Sequence, residues 1–144
     1  MWRALQYLWA GPNTVAGLLF ALLARATGGT WQVRDGVVEA AGGALGSMMR
    51  RLPTSGTWRQ PAGAAALTLG HVVLAVDQAA LDRTRIHERV HVRQYERWGP
   101  LFLPAYLIAS MFAKLRGNHG YLGNSFEREA YTVSHPERFA DRHG

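Results

Sequence analysis

The chain has 144 residues, a net charge of +6 and no cysteine, which fits one domain and excludes disulfides and thiolate metal sites. Hydrophobic content of 48% against 18% charged residues excludes a disordered chain. Lys114 is the only lysine, and no consecutive basic run exceeds Arg50-Arg51, so no nucleic-acid partner is expected.

Residues 4–24 carry no charge and lie between Arg3 and Arg25. Asn13 is positioned to cap a helix over 14–26 that ends at Gly28-Gly29. This helix is apolar nearly all round, so it must be buried in protein or in lipid. Three readings compete: a membrane anchor through residues 4–26, a buried core helix, and a signal peptide. Asp35-Gly36, between the β-prone runs Trp31-Gln32-Val33-Arg34 and Val37-Val38-Glu39, predicts a hairpin. Residues 40–63 are rich in Gly, Ala, Ser and Pro and read as a long irregular connection, with a short helical turn near 45–51.

Residues 65–76 predict one strand with a bulge at Gly70, placed to line a cleft as an edge strand. His71 within it reads as a structural residue rather than a metal ligand. A helix follows over 81–98 and is ended by Gly99-Pro100. Residues 101–115 are apolar but too short to span a bilayer. They predict a helix that folds back on its predecessor, or an interfacial segment. Residues 116–124 form a loop of turn residues, and Asn124 or Ser125 caps a last helix that ends near Pro136.

The 81–98 helix contains His87-Glu88-Arg89-Val90-His91, an H-E-x-x-H pattern. Residues four apart lie one above the other on a helix, so both imidazoles can reach one point. Two such imidazoles can chelate Zn²⁺, and Glu88 beside them can accept a proton from an activated water. Gln94 lies one turn beyond His91, where it can orient an imidazole or contact substrate. A catalytic zinc needs a third protein ligand. With no cysteine, a downstream carboxylate is one solution, and Glu127 and Glu129 are the candidates. They are two apart and point to different sides of their helix.

His87-Glu88-Arg89-Val90-His91 followed by Glu127-Arg128-Glu129-Ala130 resembles a small zincin metallopeptidase of the gluzincin type. His91-Val92-Arg93-Gln94 also resembles the H-x-x-Q extension of several predicted bacterial peptidases. The resemblance covers residues 65–135. It implies Glu127 as third ligand and Ala130 as the small residue of an E-x-x-A pattern. Arg89 and Tyr131 depart from the pattern: Arg89 stands at an uncharged position, where it either faces solvent or pairs with an acid such as Glu129, and Tyr131 replaces the usual Asp.

The expected fold class is α+β: a mostly helical, single zincin-like domain over 1–144, with a small antiparallel sheet, hairpin plus edge strand, packed on the H-E-x-x-H helix. The expected cofactor is Zn²⁺, and the expected partner is a peptide or protein substrate. Glu88 would be the general base, and His119 and Tyr131 are candidate oxyanion donors, with Tyr121 and His135 behind them. The alternative is a non-catalytic zinc-binding domain serving stability or partner binding. Localisation is either membrane-associated or cytoplasmic.

Overall fold

The computed structural model describes residues 2–51, 65–117 and 123–136. Helix α1 spans Trp2–Trp9 and helix α2 spans Gly11–Ala26. The chain therefore breaks at Ala10, and Asn13 is not the cap. Pro12 lies in the first turn of α2, where a missing N–H interrupts no hydrogen bond. The Thr14 hydroxyl also donates to the Ala10 carbonyl at 3.0 Å. One face of α2 is buried through Gly17, Ala21 and Ala24.

Strands β1 (Thr30–Arg34) and β2 (Val37–Ala41) form the hairpin expected from Asp35-Gly36. Both turn residues have positive φ, 52° and 78°. Helix α3 (Gly43–Arg50) occupies the place of the short helical turn expected near 45–51, and runs two turns. The rest of that stretch, 52–64, lies outside the described residues.

The predicted strand over 65–76 is instead two strands, β3 (Ala66–Leu69) and β4 (Val72–Ala75), paired antiparallel. Gly70 is the turn between them rather than a bulge. Its φ of +59° suits glycine. A Cβ there would also strike the Thr14 backbone and hydroxyl, so α2 can sit on the turn only because the residue is glycine. The Thr14 hydroxyl accepts from the His71 N–H at 3.1 Å.

The sheet order is β1-β2-β4-β3: of the stretch expected as an edge strand, β3 lies at an edge and β4 is central. The α+β class holds, but the sheet is mixed, because β2 and β4 pair in parallel. All four residues of β4 are buried, as a central strand covered on both faces requires. Val72 and Leu74 pack with Ala21, Ala24, Leu45 and Met49 of α2 and α3. Val73 and Ala75 point the other way, against Ala80, Leu81 and Val92.

Those last three belong to α4 (Gln78–Trp98), whose first turn is capped by the Asp77 carboxylate, accepting from the Ala80 N–H at 2.8 Å. Gly99 stops α4 with φ +57°, and the Trp9 indole lies where a Cβ would be. A 3₁₀ turn, Gly99–Leu101, leads into α5 (Phe102–Leu115), of which only Phe102 and Ala113 are buried. By length and composition, the helical run Gln78–Leu115 is long and apolar enough to cross a membrane. Helix α6 (Ser125–Ser134) is capped by Asn124, whose Oδ1 accepts from the Phe126 N–H at 2.9 Å.

Candidate metal centre

Helix α6 packs across α4, and this crossing brings Glu127 to the two histidines. His87 and His91 are each 7% exposed and Glu127 2%. The Nε2 atoms of the histidines are 3.2 Å apart. Glu127 Oε2 lies 3.1 Å from His87 Nε2, and Glu127 Oε1 lies 3.4 Å from His91 Nε2. Zinc bonds of about 2.0–2.1 Å at tetrahedral angles place donor atoms about 3.3–3.4 Å apart. The three spacings, in which each carboxylate oxygen faces a different imidazole, are close to that value, and this buried His-His-Glu group could hold a metal ion.

The surroundings orient the donors. His91 Nδ1 is 2.8 Å from Gln94 Oε1. The Gln94 amide nitrogen donates to the Phe126 carbonyl at 3.0 Å and to Glu129 Oε2 at 2.9 Å. With its NH₂ so used, Gln94 presents its oxygen to His91. His91 Nδ1 is then the protonated nitrogen, and Nε2 is directed at the candidate centre. Glu129, which also pairs with Arg97, faces away from the imidazoles. Of the two candidate carboxylates, the structure therefore brings Glu127 to the histidines.

Tyr106 was not visible as a site residue in sequence, since it sits in an apolar run that reads as packing. Its hydroxyl donates to Glu127 Oε1 at 2.6 Å. Asn124 fixes this part of α5 by donating to the Tyr106 carbonyl at 3.1 Å and the Ser110 hydroxyl at 2.8 Å. Groups that orient a metal ligand commonly contribute about 10–100-fold in metal affinity. Tyr106→Phe is therefore expected to weaken metal binding by roughly that factor without unfolding the chain, measured by competition with a chelator. Unchanged affinity would remove Tyr106 from the site.

Burial alone would raise the Glu127 pKa, but the hydrogen bonds from His87 and His91 outweigh it and lower the value to about 2. Burial alone would lower the His91 pKa. Glu127, with Glu88 adding to it, overrides this and raises the value from 6.5 to about 9. The metal-free pair is thus charged at neutral pH. Because the folded pKa of His91 is raised, its contribution to stability is full below about 6.5 and is lost as pH rises through about 9. A metal needs the neutral imidazole, so binding displaces about one proton. Apparent affinity should rise by up to about tenfold per pH unit between 6.5 and 9. Titrations against a chelator of known protonation behaviour would read this slope, and a flat profile would contradict it.

Glu88 is buried on the same helix, and its Oε2 accepts from the Thr68 hydroxyl of β3 at 2.7 Å. Thr68, Glu88, His91, Tyr106 and Glu127 line one cavity of about 250 Å³, with Leu67 and Leu103 beside them. Tyr131 lies edge-on to His87, with ring centroids 4.6 Å apart, and does not line this cavity. His119 and Tyr121 lie outside the described residues. His135 follows the end of α6 and contacts the Ser134 hydroxyl at 2.9 Å. His71 is buried elsewhere, stacked on Tyr7 and 3.1 Å from Glu96, in keeping with a structural role.

Arg89 pairs with an acid, which is Glu39 rather than Glu129: it donates to Glu39 Oε1 at 2.9 Å and to the Arg34 carbonyl at 2.8 Å. Glu39 is fully buried on β2 and also accepts from Arg85 at 3.2 Å and Gln32 at 2.7 Å. These arginines border a separate depression of about 500 Å³ that includes Arg34 and Arg93 but none of the metal-centre residues. Compared with known proteins, the chain matches no family model, no curated protein and no solved structure.

Proposed function

We propose that the protein is a zinc-dependent metallopeptidase of the gluzincin type, acting on peptide bonds. His87, His91 and Glu127 would hold the ion, and Glu88 is the general base. The observation that carries this reading is the cavity that Glu88 shares with two members of the buried His-His-Glu donor set, His91 and Glu127, with Thr68 holding the Glu88 carboxylate. Two nitrogens and one carboxylate, with no thiolate, suit zinc in a catalytic rather than a closed structural setting. When bound, zinc supplies Lewis-acid polarisation and lowers the pKa of a water toward neutrality.

The protein's own residues do the rest. Glu88 takes the proton of the attacking water and delivers it to the departing amine. Thr68 fixes the orientation of the Glu88 carboxylate through Oε2. Gln94 holds His91 in one tautomer, and Tyr106 holds Glu127.

A non-catalytic zinc domain is the second reading. It is favoured by the size of the cavity, about 250 Å³, which is below the roughly 300–1,000 Å³ usual for ligand pockets. The deciding experiment compares Glu88→Gln with the unchanged chain for zinc content and peptide cleavage on the same samples. Zinc retained with cleavage lost supports the peptidase. Zinc retained in both proteins with cleavage in neither supports the second reading.

A further inference from the structure

The outward faces of α2 and α5 are apolar to an extent that water does not favour. On α2, Val15, Leu19 and Leu22 are 59%, 65% and 56% exposed, on the side away from the sheet. On α5, Leu107, Ile108, Met111, Phe112 and Leu115 are about half exposed or more. The apolar 18-residue stretch within Gln78–Leu115 is 17% buried, whereas a core helix is mostly buried. Clustered apolar side chains left exposed along a helix face mark an interaction surface rather than a monomer's ordinary exterior.

The two helices are joined at one end. α1, α2 and α5 all contact the Gly99–Leu101 turn, and Trp9 and Trp98 are half exposed around it. At their other ends lie Arg25 for α2, and Lys114 and Arg116 for α5. Neither helix contains an acidic residue. Exposed tryptophans and cations at the limits of an apolar surface match a bilayer, where indoles sit at headgroup level and cations meet anionic headgroups. A second copy of the chain would offer Arg25, Lys114 and Arg116 no acidic partner from either helix. With 16 and 14 residues, the helices are about 24 and 21 Å long, short of the roughly 30 Å hydrocarbon core.

We propose that α2 and α5 seat the protein in one leaflet of an anionic bilayer. The cavity opens beside this seat, since Leu103 and Tyr106 of α5 line it and the rim residues Leu67 and Leu103 are 40% and 38% exposed. Substrates are then polypeptides held at the membrane surface. That last consequence rests on the metallopeptidase reading, whereas the docking does not.

Flotation of the full chain tests the docking, using phosphatidylcholine vesicles with and without phosphatidylglycerol. The chain should float with the anionic vesicles. Lys114→Glu with Arg116→Glu should lower partitioning onto them by roughly tenfold or more. Leu107→Gln, Met111→Gln and Leu115→Gln together should abolish flotation on either vesicle. Circular dichroism and a thermal melt matching those of the unchanged chain would show that both variants remain folded. Flotation without peptide cleavage would support the seat and count against the metallopeptidase reading alone. A chain that stays at the bottom of the gradient with both vesicles would overturn the proposal. So would a discrete dimer, seen by sedimentation velocity, that is lost in the α5 variant.

Discussion

Glu88→Gln is expected to reduce peptide cleavage by about 10²–10⁴-fold, the range associated with loss of a positioned acid–base group. The substitution conserves shape. Its amide oxygen can still accept from Thr68, as Glu88 Oε2 does at 2.7 Å. The donor set of His87, His91 and Glu127 does not include this side chain, so zinc stoichiometry should be unchanged. Gln at this position cannot take a proton from water, and the deficit should therefore fall on kcat more than on KM. Elemental analysis and peptide hydrolysis on one preparation separate the two effects. Cleavage within a few-fold of the unchanged chain would mean that Glu88 is not the base.

Glu127→Ala should have the larger structural effect. It removes one of three donors, and the loss of zinc affinity should exceed the roughly 10–100-fold typical of a residue that only orients a ligand. The metal-free protein should suffer as well. The Glu127 carboxylate, 2% exposed, faces both imidazoles and the Tyr106 hydroxyl. Removing one partner of a buried pair costs about 3–5 kcal/mol. For a chain of this size that corresponds to a fall in Tm of roughly 10 °C or more. Glu129→Ala is the matched control. Glu129 and Arg97 are 42% and 56% exposed, and pairs in such settings contribute about 0–1 kcal/mol. Thermal melts with and without a chelator, together with zinc content, should separate the two variants clearly. Equal loss of zinc in both would contradict the assignment of the third donor to Glu127.

What could be read in the sequence was what depends on neighbours in the chain. The paired histidines follow from helical spacing, the hairpin from Asp35-Gly36, the stop from Gly99 and the cap from Asn124. What stayed hidden depends on partners distant in sequence. The strand over 65–76 splits at Gly70 because Thr14, 56 residues earlier in the numbering, occupies the space a side chain would need. The parallel register of Val38 with Val72 has no local signature. Thr68 reads as an ordinary β-branched strand residue until the edge strand is laid beside α4. Tyr106 reads as one more aromatic in an apolar run until α6 presents Glu127 to its hydroxyl. Arg89 looked misplaced because its acceptor, Glu39, lies on a strand whose neighbourhood with α4 the sequence does not reveal.

The Glu39 cluster has a mechanical consequence. Arg85 and Arg89 are one turn apart on α4, and His87 and His91 are one turn apart on the same helix. At about 100° per residue, the two pairs are displaced by roughly 200° around the axis. The arginines fasten the helix to the sheet from behind while the imidazoles project on the far side, so α4 cannot roll without tearing a buried carboxylate from its guanidinium partners. The bearing of both imidazoles is thereby set by the scaffold. An arriving ion would meet donors already aimed, so its capture would require shedding of water and a proton but no search of the chain for its shape.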